Sequence, residues 1–178
     1  DPFDAERDFL KPRAGFGSHG ARIANPGDLE KIPPEERFQW VIQDVCEGPE
    51  TTIDCFLDPS TDFFRASCRE RLETKAGVCT KARIHFDRQL EALSKRVGSE
   101  LGLTGTYCIQ VMKHDGAWQV TDVNARPGAA TAMSVAIGLD FFAASFARAW
   151  GQDYSRFFPL VAEEAFVTRQ YCEFVMSK

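Results

Sequence analysis

One stretch of the chain is strongly periodic, and it limits what the rest can be. Asp87 is placed to cap a helix, and Leu90, Leu93, Val97 and Leu101 follow at spacings of three and four, so their side chains form one apolar stripe. A single amphipathic helix must cover a surface, and the flanking residues supply one. Strand-like segments are predicted at 9–11, 21–24, 38–45, 50–57, 62–70, 78–84, 104–112, 117–124 and 166–176, with turn residues between them. A short helix is expected to open at Asn25-Pro26-Gly27-Asp28 and to be closed by Pro33-Pro34. Two packed helices, 129–137 and 140–150, are split at Gly138. Strands with few helices between them predict an α+β fold, with antiparallel sheets and packed helices.

In the segment 50–57, Ile53, Cys55 and Leu57 share one strand face while Glu50, Thr52 and Asp54 share the other. That pattern predicts one buried face and one functional or solvated face. At 178 residues the chain has room for one ordinary domain, or a medium core with a small lobe. A net charge of -5 with scattered basic residues argues against nucleic acid as a partner. No apolar run approaches the roughly 18 residues of a membrane span, and no signal segment is visible at the amino end. The six cysteines, at 46, 55, 68, 79, 108 and 172, form no C-x-x-C pair, so buried free thiols and a cytoplasmic location are expected.

Three groups of residues could carry chemistry. Asp122-Val123-Asn124-Ala125-Arg126 closes a strand, and period-two geometry would put Asp122, Asn124 and Arg126 on one face. Oxygen ligands suit a hard cation such as magnesium, and a guanidinium grips phosphate in a fork. Gln110 could join this group as a third polar residue. A two-residue turn at Asp115-Gly116 would instead pair Gln110 with Thr121 and turn it away from Asp122, so the joint site needs a bulge or an odd-length loop. An exposed polar strand end fits the same residues.

The second group is Lys11-Pro12-Arg13 ahead of the glycine-rich Ala14-Gly15-Phe16-Gly17-Ser18-His19-Gly20, where a lysine and exposed amides could cradle phosphate oxygens. A surface hairpin is the alternative. The third is 43–50, in which a strand breaks at Glu47-Gly48-Pro49 and restarts, freeing backbone groups that could read a purine edge. Arg69 and Arg71 lie two apart on one strand face and could hold an anion, or could be surface arginines.

In this order the groups resemble the ATP-grasp superfamily, in particular the synthetase halves of the carbamoyl phosphate synthetase large chain. The matching segments run from Phe9 to Ala24, through Gln43 to Asp54, Arg69-x-Arg71 to Gly77 and Leu101-Gly102-Leu103-x-Gly105 to Gln110, ending with Asp122 to Arg126. The resemblance implies a truncated ATP-grasp fold, with a partial lid subdomain at 1–48 and a core subdomain at 49–178. It implies ATP and magnesium as cofactors, with manganese as a substitute.

By the same resemblance Lys11 would hold nucleotide phosphates and Phe16, Gly17 and Ser18 would close over them. Asp44 and Val45 would meet the adenine, and Glu50 the ribose. Gln110, Asp122 and Asn124 would be metal ligands, and Arg126 and Arg71 would be catalytic. The family usually has glutamate where this chain has Asp122 and proline where it has Ala125. The implied activity is ATP-dependent joining of a small-molecule carboxylate to an amine or similar nucleophile through an acyl phosphate. A non-catalytic ATP-binding module and a carbamoyl phosphate synthetase-like enzyme are the alternatives. Family members carry a domain ahead of the lysine strand. The resemblance therefore implies that this part comes from the same protein or from a partner chain, and a homodimer is also open.

Overall fold

The computed structural model describes residues 8–14, 19–24, 27–75 and 78–170. In chain order its elements are β1 (Asp8–Pro12), β2 (Arg22–Ile23), a 3-10 helix (Pro34–Gln39), β3 (Trp40–Asp44), β4 (Glu47–Asp58), β5 (Phe63–Lys75), β6 (Val78–His85), α1 (Arg88–Glu100), β7 (Gly105–His114), β8 (Ala117–Asn124), α2 (Ala132–Ala136), α3 (Phe141–Ala149), a 3-10 turn (Ser155–Phe157) and β9 (Glu164–Thr168). They fall into two compact units, one of residues 1–48 with 112–121 and one of residues 49–111 with 122–178.

In the first unit β1 is the centre of a three-stranded antiparallel sheet ordered β2-β1-β3, with Leu10 opposite both Arg22 and Ile42. Leu10, Ala24 and Ile32 form its small core, against which Leu29 and Trp40 pack. The expected helix after Gly27 is instead a run of turns, and Pro33-Pro34 opens a 3-10 helix where β3 was expected to begin. Proline fixes its own φ in a helical range and has no N–H to satisfy, which suits the first helical position better than a helix end.

The other sheet is ordered β8-β7-β4-β5-β6-β9, and β5 pairs antiparallel with β4 and β6, as does β9 with β6. Strand β4 starts at Glu47 and runs through Gly48, whose φ of 85° only glycine adopts without strain, so the break lies earlier, at Val45-Cys46. Asp87 caps α1 as expected, accepting from the Gln89 and Leu90 amides. Buried Leu90 and Ser94 lie on this helix, and Tyr107 of β7 donates its hydroxyl to the Ser94 carbonyl. A Cβ on Gly98 would overlap the Tyr107 ring, so glycine there permits the close approach.

Asp140 caps α3, and Phe141 and Ala144 pack with Phe56, Leu139 and Phe158. Met133 of α2 packs with Cys79, Ala82 and Ile84 of β6 and with Ala130. Both faces of β4 are therefore covered. Ile53, Cys55 and Leu57 are buried as expected, but so are Thr52 and Asp54 on the face expected to be functional or solvated, and Phe56 beyond them. The segment expected as a helix at 129–137 makes only the short α2, and the last strand begins earlier than expected, at Glu164. The remainder of the expected strand, 171–176, lies outside the described residues.

The described cysteines are free thiols, with Cys46 half-buried and Cys55, Cys68, Cys79 and Cys108 buried. Cys172 lies outside the described residues. Among those residues no helix is long and apolar enough to cross a membrane.

Candidate functional site

The polar group in the second unit is built on four strands. Glu50 stands near the start of β4, Arg71 on β5, Gln110 on β7, and Asp122 and Asn124 at the end of β8. Glu50 is the hub: its Oε1 accepts from Arg71 Nη1 at 2.5 Å and from Gln110 Nε2 at 2.7 Å. Donating the amide nitrogen leaves the Gln110 carbonyl oxygen as its ligand-capable atom. Both members of the Glu50–Arg71 pair keep some solvent access, with 27% of the acid's side chain and 18% of the arginine's exposed.

Asn124 donates Nδ2 to Asp122 Oδ2 at 2.8 Å, so the two side chains share one strand face as expected. Arg126 does not continue that face. Strand β8 ends at Asn124, and Arg126 sits in a bend, exposed, with Nη1 donating to the Pro127 carbonyl at 3.0 Å. Period-two reasoning fails there because it holds only while the backbone stays extended. The turn between β7 and β8 has two residues, Asp115 with φ 49° and Gly116 with φ 77°. These are the angles of a hairpin turn that matches strand twist. Simple register from such a turn separates Gln110 from Asp122. Cys108 lies two residues before Gln110 on β7. Burial pushes its thiol up to about 11, with Asp54 and Asp122 adding to the rise and Arg69 and Arg126 opposing it.

The donor set can be tested against magnesium on its chemistry. Asp122, Asn124 and Gln110 offer one carboxylate and two amide oxygens, all hard ligands suited to that ion. No cluster of three or more His, Cys, Asp or Glu side chains suited to a metal occurs among the described residues. The residues thus fit an ion that arrives with phosphate oxygens and water completing its shell, and do not fit an all-protein cage.

In the first unit, Lys11 on β1 donates Nζ to the Thr121 carbonyl at 3.0 Å, and Gln43 Nε2 lies 3.4 Å from the same oxygen. Asp44 is the last residue of β3. The Val45 carbonyl, at the strand break, lies 3.2 Å from His114 Nδ1. Phe16, Gly17 and Ser18 lie outside the described residues.

Arg69 and Arg71 part company. Arg69, only 2% exposed, donates Nη2 to Asp54 Oδ1 and Oδ2 at 3.0 and 3.2 Å, while its Nε is buried without a hydrogen-bond partner among the described residues. It cannot hold a substrate anion from there. Asp54 also accepts from Thr131 Oγ1 at 2.8 Å and from Ser134 Oγ at 2.7 Å. Sequence reasoning missed this group. Its signal was an acid in an otherwise apolar strand, which is compatible with burial only when fully hydrogen-bonded.

A family model described as "ATP-grasp domain" matches residues 3–130. The chain belongs to the ATP-grasp family. The match carries the family as a whole and does not single out its carbamoyl phosphate synthetase branch. No curated protein matches the chain in sequence.

Solved structures agree on the ATP-grasp fold. Rhizobium etli pyruvate carboxylase has a TM-score of 0.66 and 13% identity over 83% of this chain and 15% of its own. N5-carboxyaminoimidazole synthetase from Staphylococcus aureus, complexed with ADP, has a TM-score of 0.65 and 16% identity over 83% of this chain and 42% of its own. The biotin carboxylase domain of Hydrogenobacter thermophilus 2-oxoglutarate carboxylase, in complex with MgADP, ADP and bicarbonate, has a TM-score of 0.58 and 14% identity over 85% of this chain and 35% of its own. The chain thus spans less than half the length of each of these proteins.

Proposed function

We propose that this ATP-grasp chain binds ATP with magnesium and is the nucleotide-binding portion of a ligase that activates a small-molecule carboxylate. The observation that supports the reading is the Glu50, Arg71 and Gln110 cluster on neighbouring strands of the second unit, in a chain that also presents the Asp122–Asn124 pair and Arg126. Asp122, Asn124 and Gln110 would hold magnesium, or manganese in its place, which supplies positive charge against the nucleotide phosphates. Arg126, exposed beyond β8, would meet the terminal phosphates, and Arg71 the transferring phosphoryl group. Glu50 keeps Arg71 oriented and would accept from a ribose hydroxyl.

Lys11 is proposed as a phosphate contact, Asp44 and Val45 as adenine contacts, and Phe16, Gly17 and Ser18 as the covering loop. In the reaction, a carboxylate oxygen bonds to the γ-phosphorus as the bond to ADP breaks. An amine or similar nucleophile then attacks the acyl carbon, and inorganic phosphate leaves. Positioning and charge neutralisation suffice for phosphoryl transfer, so no side-chain nucleophile is needed. The rest of the same protein, or a partner chain, would supply the carboxylate and amine sites.

Thermal denaturation tests the reading. Ligand at a hundred times its Kd stabilises the folded state by about 2.7 kcal/mol. For a protein of this size that raises Tm by roughly 5–10 °C. ATP with magnesium should give such a shift and magnesium alone should not. No shift at millimolar ATP would refute nucleotide binding.

A further inference from the structure

Residues 125–131 join the end of β8 to α2 and carry Arg126, and one side chain beneath them has an unusual use. Thr131 occupies the N-cap position of α2, where a hydroxyl ordinarily accepts from its own helix, yet it makes no capping hydrogen bond. Instead its fully buried Oγ1 accepts the Gly128 amide at 2.9 Å and donates to Asp54 Oδ1 at 2.8 Å. Asp54 is itself fixed by Arg69 and Ser134, so the loop is tied to an immobile carboxylate.

The loop also lies low over the strands. A Cβ added at Gly128 would come 3.3 Å from Cys108 Sγ and 3.8 Å from Arg69 Nη2. Arg169 Nη2 donates to the Ala129 carbonyl of the same loop at 2.6 Å. Ser134 reaches the same carboxylate, but its hydroxyl touches Asp54 and Ser67 and no loop residue.

We infer that Thr131 is a positioning residue: it couples the buried Asp54–Arg69 pair to the Gly128 backbone and so holds Arg126 where the terminal phosphates of ATP bind. The inference rests on the nucleotide reading above. Holding the loop beforehand lowers the ordering cost that binding would otherwise bear.

Calorimetry with ATP plus magnesium, and with AMP, tests it on wild type, Thr131→Val, Thr131→Ser, Ser134→Ala, Arg126→Ala and the Thr131→Val/Arg126→Ala double variant. Loss of one buried hydrogen bond should weaken ATP binding roughly five- to tenfold in Thr131→Val. AMP, which lacks the terminal phosphates, should bind within about twofold of wild type. Thr131→Ser should restore ATP affinity, and Ser134→Ala should lower Tm without changing the ratio of ATP to AMP affinity. In the Arg126→Ala background, Thr131→Val should cost nothing further.

Should Thr131→Val fail to fold, Gly128→Ala displaces the same loop and should show the same selective loss of ATP. Equal loss of ATP and AMP, or an undiminished Thr131→Val effect without Arg126, overturns the inference alone. An Arg126→Ala variant that binds ATP like wild type overturns the inference while nucleotide binding stands, and a wild type that gives no binding heat with ATP and magnesium overturns the nucleotide reading and the inference with it.

Discussion

Strands β4 and β5 carry two acid–arginine pairs built from the same chemistry in opposite surroundings. Asp54 and Arg69 are 0% and 2% exposed, and the acid is saturated by Arg69, Thr131 and Ser134. Glu50 and Arg71 are 27% and 18% exposed, and the acid is shared with Gln110. The first pair can exchange nothing with solvent, so its use is to fix strands, α2 and the loop above. The second can release its arginine or its amide to an arriving ligand. Burial, more than residue type, separates scaffold from site.

The largest effect should come from unpairing the buried arginine. Asp54→Ala should cost about 3–5 kcal/mol, because it leaves a buried guanidinium without a counter-charge. A denaturant midpoint measures this, and a loss below about 1 kcal/mol would erase the distinction between the pairs.

A second effect belongs to the same buried region. Burial first, and nearby acids after it, push the Cys68 thiol from 9.0 up to about 12, and Cys108 is pushed up to about 11. The folded state therefore holds these protons more tightly than the unfolded chain does. Their contribution is fully present below pH 9 and is lost as pH rises from about 9 toward 12. Denaturant midpoints recorded at pH 8, 10 and 11 should decline in that order, and a flat profile would show that the thiols are not shielded.

The smallest stability effect should be that of Glu50→Gln, within about 1 kcal/mol, since its partly solvated pair gains little in a high-dielectric setting. The same variant should nonetheless change ATP affinity severalfold, because Arg71 loses the acid that orients it. A large stability loss with unchanged affinity would place Glu50 with the scaffold.

The contrast between the pairs also marks what the sequence could reveal. Local spacing and turn residues located α1 with its Asp87 cap, the helix α3 within 140–150, and β8 at 117–124, because each is determined by nearby sequence. It failed at Asp54, whose burial depends on α2 packing from the far side of the sheet. That contact joins residues 77 and 80 positions apart, which no local pattern encodes. It failed again at Arg126, where the strand ends two residues earlier than the motif suggests. Proline misled at Pro33-Pro34 because the same ring that closes one helix also starts another. The polar residues of the outer cluster were legible as types, but that Glu50 joins Arg71 to Gln110 follows only from the sheet order.

The most direct test of the central claim is isothermal titration of ATP with magnesium into wild type and Asp122→Ala. Removing the only carboxylate of the Asp122, Asn124 and Gln110 donor set should weaken magnesium-dependent binding at least about tenfold, equivalent to about 1.4 kcal/mol, while Tm without ligand stays close to wild type. Equal affinity in the two proteins would contradict a metal-phosphate site at the end of β8.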